Sequence, residues 1–159
     1  MSPTPNKPRI ALGADHAGFR TKEVIKDFLR RHGYTFDDAG TQSEQSVDYP
    51  DYARAVAQRV SSGAAQVGIL VCGTGIGMAI TANKVSGIRA ATVHDVSTAH
   101  LAREHNDANV LALGARVVSD DVAVSIVSEF LSTPFGGGRH QPRVDKINAL
   151  DSERAEARR

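Results

Sequence analysis

The sequence predicts an α/β fold: a three-layer α/β/α sandwich built on a five-stranded parallel sheet, with an extra helix at the C-terminus. Three observations predict it. Short apolar or β-branched runs alternate with helical repeats, the pattern of βαβ units, whose right-handed crossovers give a parallel sheet covered on both faces. The run Val67-Gly-Ile-Leu-Val-Cys72 is apolar throughout, as a strand buried on both faces should be. The 159 residues, 41% hydrophobic and 23% charged, suit a single globular domain, and no internal repeat divides them.

Residues 1–8, with three prolines, read as a flexible leader, and Arg9-Ile-Ala-Leu12 as the first strand. From Gly18 to His32 the residues Val24, Ile25, Phe28 and Leu29 recur at helical spacing with Lys and Arg between them, and Gly33 supplies the stop. Tyr34–Asp37 is a weak second strand, and 39–48 a polar loop. Pro50 suits a first helical turn, and the helix continues over Tyr52–Val60. After the third strand, Val67–Cys72, and the segment Gly73–Gly77, a helix is expected from about Met78 to Lys84. Ile88–Val93 and Asn109–Leu113 are the fourth and fifth strands, with a helix over Ser97–His105 between them. Asp120–Leu131 is a helix with Val122, Ile126, Val127 and Phe130 on one face. Pro134 and Gly136–Gly138 break the chain before a charged amphipathic helix over Arg143–Arg158. The result is Rossmann-like, and such sheets bind ligands beyond the carboxyl ends of their strands, where strand order switches. Chemistry is expected just after Leu12, Cys72, Val93 and Leu113.

Composition excludes several functions. Nineteen Lys and Arg against 18 Asp and Glu leave a net charge of +1, with neither a polybasic footprint for nucleic acid nor an acidic tail. The single cysteine, Cys72, allows no internal disulfide and no cysteine-cluster metal site. No apolar run approaches the ~20 residues that span a bilayer, and the N-terminal residues lack the apolar core of a signal peptide. A cytoplasmic protein is expected.

Several constellations stand at the strand ends. Gly13-Ala-Asp15-His16-Ala-Gly18 places an Asp-His pair where it can hydrogen-bond a polyhydroxyl ligand; the plainer alternative is that Asp15 caps the next helix. Cys72-Gly-Thr-Gly-Ile-Gly77 is a Gly-rich turn opening a helix, suited to presenting backbone N–H groups to an anion. Met78 denies it the dinucleotide fingerprint, and no Gly-Lys-Ser/Thr ending makes it an NTPase phosphate loop. A lone Cys in an apolar strand is commonly core, but at a helix mouth a thiol can supply a thiolate base or nucleophile. His94, Asp95, His100 and His105 lack metal-ligand spacing, so no metal is assigned; His105, ending a helix before a strand, is placed as a helix C-cap. Arg116, Arg139 and Arg143 suit a single phosphate better than a nucleic-acid track. A base, oxyanion donors and a phosphate clamp, without a cofactor fingerprint, point to proton transfer on a small phosphorylated molecule.

The motifs Gly13–Gly18, Ser46–Pro50, Cys72–Gly77, Ala82–Lys84, Gly87–Arg89, His105–Asn109 and Gly138–Arg143 together resemble ribose-5-phosphate isomerase type B, over about residues 9–150. That family also includes allose-6-phosphate isomerases and the paired subunits of galactose-6-phosphate isomerase. The resemblance implies interconversion of ribose 5-phosphate and ribulose 5-phosphate, in the pentose phosphate pathway, without metal or cofactor. Cys72 would move the proton between C2 and C1; some members use a Glu a few residues on, where this chain has Ile76 and Met78. The amides of Gly73, Thr74, Gly75, Ile76 and Gly77, with the Thr74 hydroxyl, would stabilise the enediolate. His105 would assist ring opening, Asp15 and Asn106 would contact and orient the sugar, and Tyr49 would wall it. His16, Arg116, Arg139 and Arg143 would hold the phosphate. Family members are dimers or tetramers with shared sites, which puts the C-terminal segment 139–159 at a subunit interface. The alternatives are a hexose-phosphate isomerase, a non-catalytic sugar-phosphate binding module, or a nucleotide-binding regulator.

Overall fold

The computed structural model describes residues 6–159, so the first five residues of the expected leader lie outside the described residues. Lys7 is already tied down: its ammonium donates to the carbonyl of His32 and sits 4.8 Å from the Tyr34 ring centroid. The strands are β1 (Ile10–Ala14), β2 (Phe36–Asp38), β3 (Val67–Cys72), β4 (Ala90–Thr92) and β5 (Val110–Gly114). The helices are α1 (Phe19–Arg31), α2 (Tyr49–Ser61), α3 (Ile76–Ala82), α4 (Val96–Glu104), α5 (Asp120–Ser132) and α6 (Gln141–Ala157), with a 3₁₀ turn at Gly138–His140 before α6.

All pairs are parallel and the order is β2-β1-β3-β5-β4. The three central strands bury nearly every residue, because helices cover both faces: α1, α4 and α5 pack on one through Ile25, Leu29, Ala99, Ile126 and Phe130, α2 and α3 on the other through Ala53, Val56, Met78 and Ala82. The edges β2 and β4 have three residues each, which leaves little unpaired backbone.

Boundaries differ from the sequence reading in instructive ways. β1 runs two residues past Leu12, because both of its edges are paired and Ala14 lies opposite Val71. α3 begins at Ile76, inside the Gly-rich segment, because Gly75 takes φ +79° and turns the chain into the helix directly. On α5, Val122 is exposed and Ala123 takes the buried position, while Val24 of α1 is only half-buried. The larger surprise is on α1, where Lys22 is fully buried and Lys26 nearly so. Asp38, ending β2, accepts from Lys22 Nζ at 2.6 Å and Lys26 Nζ at 2.8 Å, and its other oxygen accepts from Gly40 N at 2.9 Å.

Burial pushes the Asp38 carboxyl up, but the bonds from Lys22, Lys26 and the Gly40 amide outweigh it and hold the group at about 2, below its ordinary 3.8. A carboxylate depressed by folding contributes stability above its unfolded value and loses it as pH falls through the folded one. Wild-type stability, read from urea unfolding, is therefore expected to fall as pH drops from 3.8 toward about 2. Asp38→Asn should lack that component and lose about 3–5 kcal/mol at neutral pH, the scale of stranding a buried charge.

Candidate active site

Strand order reverses between β1 and β3, and a cleft of about 500 Å³ opens there at the carboxyl ends of the sheet. Cys72, the last residue of β3, is 4% exposed and lines it. Its Sγ accepts from the Gly75 amide at 3.1 Å, so the sulfur faces a backbone donor. The turn behind it is packed without slack. A Cβ on Gly75 would come within 3.0–3.1 Å of the Leu113 backbone, and one on Gly77 would strike the Tyr49 ring at 2.5 Å. The Thr74 hydroxyl accepts from Ile76 N at 3.3 Å, and the first amides of α3, including Gly77, have no intrahelical acceptor.

Facing Cys72, the β1 end supplies Asp15 and His16. Asp15 is 6% exposed and accepts from Gly18 N through Oδ1 at 3.1 Å, so it does cap its turn; its Oδ2 has no hydrogen-bond partner among the described residues. The Val47 amide donates to His16 Nδ1 at 3.1 Å. That bond requires the tautomer with its proton on Nε2, leaving His16 one donor. Tyr49, opening α2, forms a wall, and Arg116 lies against Gly73 at the other end. Arg116 Nη1 would meet a Cβ on Gly73 at 3.2 Å, and no carboxylate pairs with it among the described residues. The cleft thus combines a thiol, amides and hydroxyls for an oxyanion, a carboxylate for hydroxyls, and a free guanidinium for an anion.

Ala17 and Ile80 also line this cleft, and neither carries a polar signal that sequence alone could flag. His94, whose spacing excludes a metal site, serves this cleft instead: its Nε2 lies 3.1 Å from the Thr74 carbonyl and braces the turn. Its place just after β4 was the available signal.

The remaining predicted residues lie elsewhere. α4 returns the chain from the carboxyl to the amino end of the sheet, so His105, its C-cap, sits at the far end of the molecule from Cys72. A strand of five or six residues separates the two ends by about 17–20 Å. His105 stacks on His140 with centroids 4.2 Å apart, and Gly136 N donates to Glu104 O at 2.9 Å, which holds the Arg139 turn at the same corner. Burial, then the neighbouring His105, Arg139 and Arg143 charges, lowers His140 below its ordinary value. The predicted residues thus fall into two groups: Asp15, His16, Tyr49, Cys72–Gly77 and Arg116 at one end, and His105, Asn106, Arg139 and Arg143 at the other.

Residues 10–147 match the model of the ribose/galactose isomerase family. The chain belongs to that family. It is 47% identical over 146 residues to ribose-5-phosphate isomerase B of Escherichia coli, covering 92% of this chain and 98% of the relative. The D-erythrulose-4-phosphate isomerase of Pectobacterium atrosepticum is 46% identical, covering 91% and 95%. The structure of ribose-5-phosphate isomerase B from Clostridium thermocellum superposes with a TM-score of 0.90 at 50% identity, covering 91% of this chain and 98% of that one.

Because Gly75 combines φ +79° with a backbone neighbour that cannot retreat, Gly75→Ala should destabilise the chain by about 1–3 kcal/mol. It should also change the rate at which iodoacetamide labels Cys72, since the amide that bonds Sγ moves. Urea unfolding and mass-detected labelling check both.

Proposed function

We propose that the chain is an aldose–ketose isomerase that interconverts D-ribose 5-phosphate and D-ribulose 5-phosphate through an enediolate, in the pentose phosphate pathway of the cytoplasm. The observation that carries the reading is the thiol of Cys72 held between the Gly75 amide and the Asp15–His16 turn, with an unpaired Arg116 at the cleft's end. The Cys72 thiolate takes the C2 proton of the open-chain aldose, becoming S–H, and the negative charge moves onto O1. The amides of the Gly73–Gly77 turn and the Thr74 hydroxyl stabilise that charge. Cys72 then returns its proton to C1 while O2 loses its hydroxyl proton to O1, giving the ketose. Asp15 binds sugar hydroxyls and Tyr49 walls the chain.

Ring opening needs a group that takes the anomeric hydroxyl proton and delivers one to the ring oxygen; His105 is assigned that step, with Asn106 orienting the sugar. His105 and Cys72 lie at opposite ends of the sheet, so the reading requires a second copy. In a two-fold dimer each cleft is completed by the other protomer's His105, Asn106, Arg139 and Arg143, and the two arginines join His16 and Arg116 on the phosphate. Two features support this: α6 buries only Val144 against its own chain, and Ile76, Ile80, Ile147 and Leu150 are exposed. The Pectobacterium relative's name keeps a second substrate length in view. An assay across erythrose 4-, ribose 5- and allose 6-phosphates ranks them, and the highest kcat/KM is expected for ribose 5-phosphate. Failure to turn over any of them would leave a binding module.

Cys72→Ala should fold, bind substrate and lose about 10²–10⁴ in kcat. Cys72→Ala and His105→Ala, each inactive, should regain about 25% of wild-type activity after reassortment, because half the dimers are mixed and half their sites are intact. Mixed dimers without recovery would place both residues in one chain's site.

Among the described residues no group of three or more His, Cys, Asp or Glu side chains is placed to hold a metal, and the chemistry above assigns none a role. Prolonged dialysis against EDTA is expected to leave kcat unchanged. A loss restored by Mg²⁺ or Zn²⁺ would redirect attention to His94, Asp95 and His100.

A further inference from the structure

The motifs around Asn83 and Arg89 take no part in the cleft; they lie beside the His105 corner. The segment Gly87–Ala90, leading into β4, is held by side chains from other parts of the chain as well as by backbone bonds, Ile88 N donating to Val85 O at 3.2 Å and Asn109 N to Arg89 O at 3.0 Å. Asn109 accepts from Arg89 N at 2.8 Å and donates to Gly87 O at 2.8 Å. Asn83 treats Ala90 the same way, accepting from its N at 2.7 Å and donating to its O at 3.0 Å. Asp151 of α6 accepts from Gly87 N at 2.8 Å. The backbone that carries Arg89 is therefore fixed on three sides.

From that base the Arg89 guanidinium reaches the turn after α4. Nε and Nη2 donate to the Asp107 carbonyl at 3.0 and 2.8 Å, Nε also to the Asn106 carbonyl at 3.3 Å, and Nη1 to Asn148 Oδ1 on α6 at 2.9 Å. The turn needs holding. Asp107 has φ +46°, the one non-glycine residue in the left-handed region among the described residues, a conformation that costs about 1–2 kcal/mol. Arg103 adds bonds to Asp107 Oδ1 at 2.9 Å and to the Ala108 carbonyl at 2.6 Å. The planar guanidinium satisfies two carbonyls and an amide oxygen at once, which a lysine ammonium on a flexible stem does not reproduce.

We propose that Arg89 is a positioning residue for the proton transfer at His105: its guanidinium fixes the His105–Asn106 turn and, through Asn148, ties that turn to α6, so that the histidine and the Arg139–Arg143 corner meet the neighbouring cleft as one rigid unit. This rests on the isomerase reading, in which His105 opens the sugar ring. Arg89 acts through the turn's backbone rather than on the substrate.

The test separates ring opening from the Cys72 step. Net conversion of ribose 5-phosphate needs both. Exchange of a C1 hydrogen of ribulose 5-phosphate with deuterated water needs only Cys72, because this ketose, phosphorylated at O5, has no furanose ring to open. Arg89→Gln in the full-length assembled protein should lower kcat for ribose 5-phosphate about 10- to 100-fold, the scale of a catalytic group displaced by about an ångström. Exchange at saturating ribulose 5-phosphate should be retained, and Arg89→Lys should recover part of the loss. Conversion and exchange falling in parallel, or conversion unchanged in Arg89→Gln, would overturn the proposal. Should the Arg89 variants not fold, Asn148→Ala decides, since Asn148 is exposed and only the Nη1 partner is removed: reduced conversion with exchange retained supports the tie to α6, and unchanged conversion overturns it. If the isomerase reading itself fails, the wild-type protein shows neither conversion nor exchange.

Discussion

Because β2 lies to one side of β1 and β3 to the other, the helices following β1 and β3 leave on opposite faces of the sheet, α1 on one and α3 on the other. The space between the two strand ends is left open to a ligand. The cleft is built around that gap. Asp15 and His16 occupy the β1 side, and Cys72 with its glycine turn the β3 side. β5 abuts β3 from behind, and Leu113 and Gly114 leave the 73–75 turn no room to relax, as the approaches of 2.8–3.1 Å that a Cβ on Gly75 or Gly114 would make show. The rigidity of the 73–75 turn is thus a packing property of three adjacent strands.

Charge is distributed to serve the same geometry. The buried Lys22–Lys26–Asp38 cluster fixes the end of β2, and Asp38 holds the Gly40 amide. Gly40 in turn accepts from Ala14 N at 2.7 Å, and Thr41 N donates back to Ala14 O at 2.8 Å. An ion cluster inside one edge of the sheet is therefore linked by two backbone bonds to the residue that precedes Asp15. The guanidinium of Arg116 and those of Arg139 and Arg143, by contrast, have no carboxylate partners within 4.0 Å among the described residues, and they stand at opposite ends of one chain. These guanidiniums are thus left without a carboxylate of their own chain among the described residues.

The His105 corner has no comparable apolar support. Its turn contains a left-handed aspartate, and the helix beside it buries a single residue. Side-chain amides and two arginines brace it, satisfying the Asn106, Asp107 and Ala108 carbonyls in the turn after α4. Such polar bracing holds a position closely, while Ile76 and Ile80 of α3 and Ile147 and Leu150 of α6 stay exposed.

The sequence by itself determined the elements and their alternation. All five strands, all six helices, the place of Cys72 at a strand end and the glycine turn after it were legible, because periodicity, β-branching and glycine placement act within a few residues of where they are read. The ends of those elements shifted where a distant neighbour intervened, as when pairing on both sides drew β1 on to Ala14. The tertiary structure alone decided the strand order, and with it which loops share the cleft. It also decided that Lys22 is buried, since an ammonium enters a core only beside a carboxylate, and Asp38 stands 16 residues away. It turned Arg89 from one basic residue in a motif into the brace of a turn 17 and 18 residues downstream. It separated His105 from Cys72, which the sequence shows only as a helix end and a strand end. Whether two residues meet depends on how many times the chain has crossed the sheet between them, and no local pattern counts those crossings.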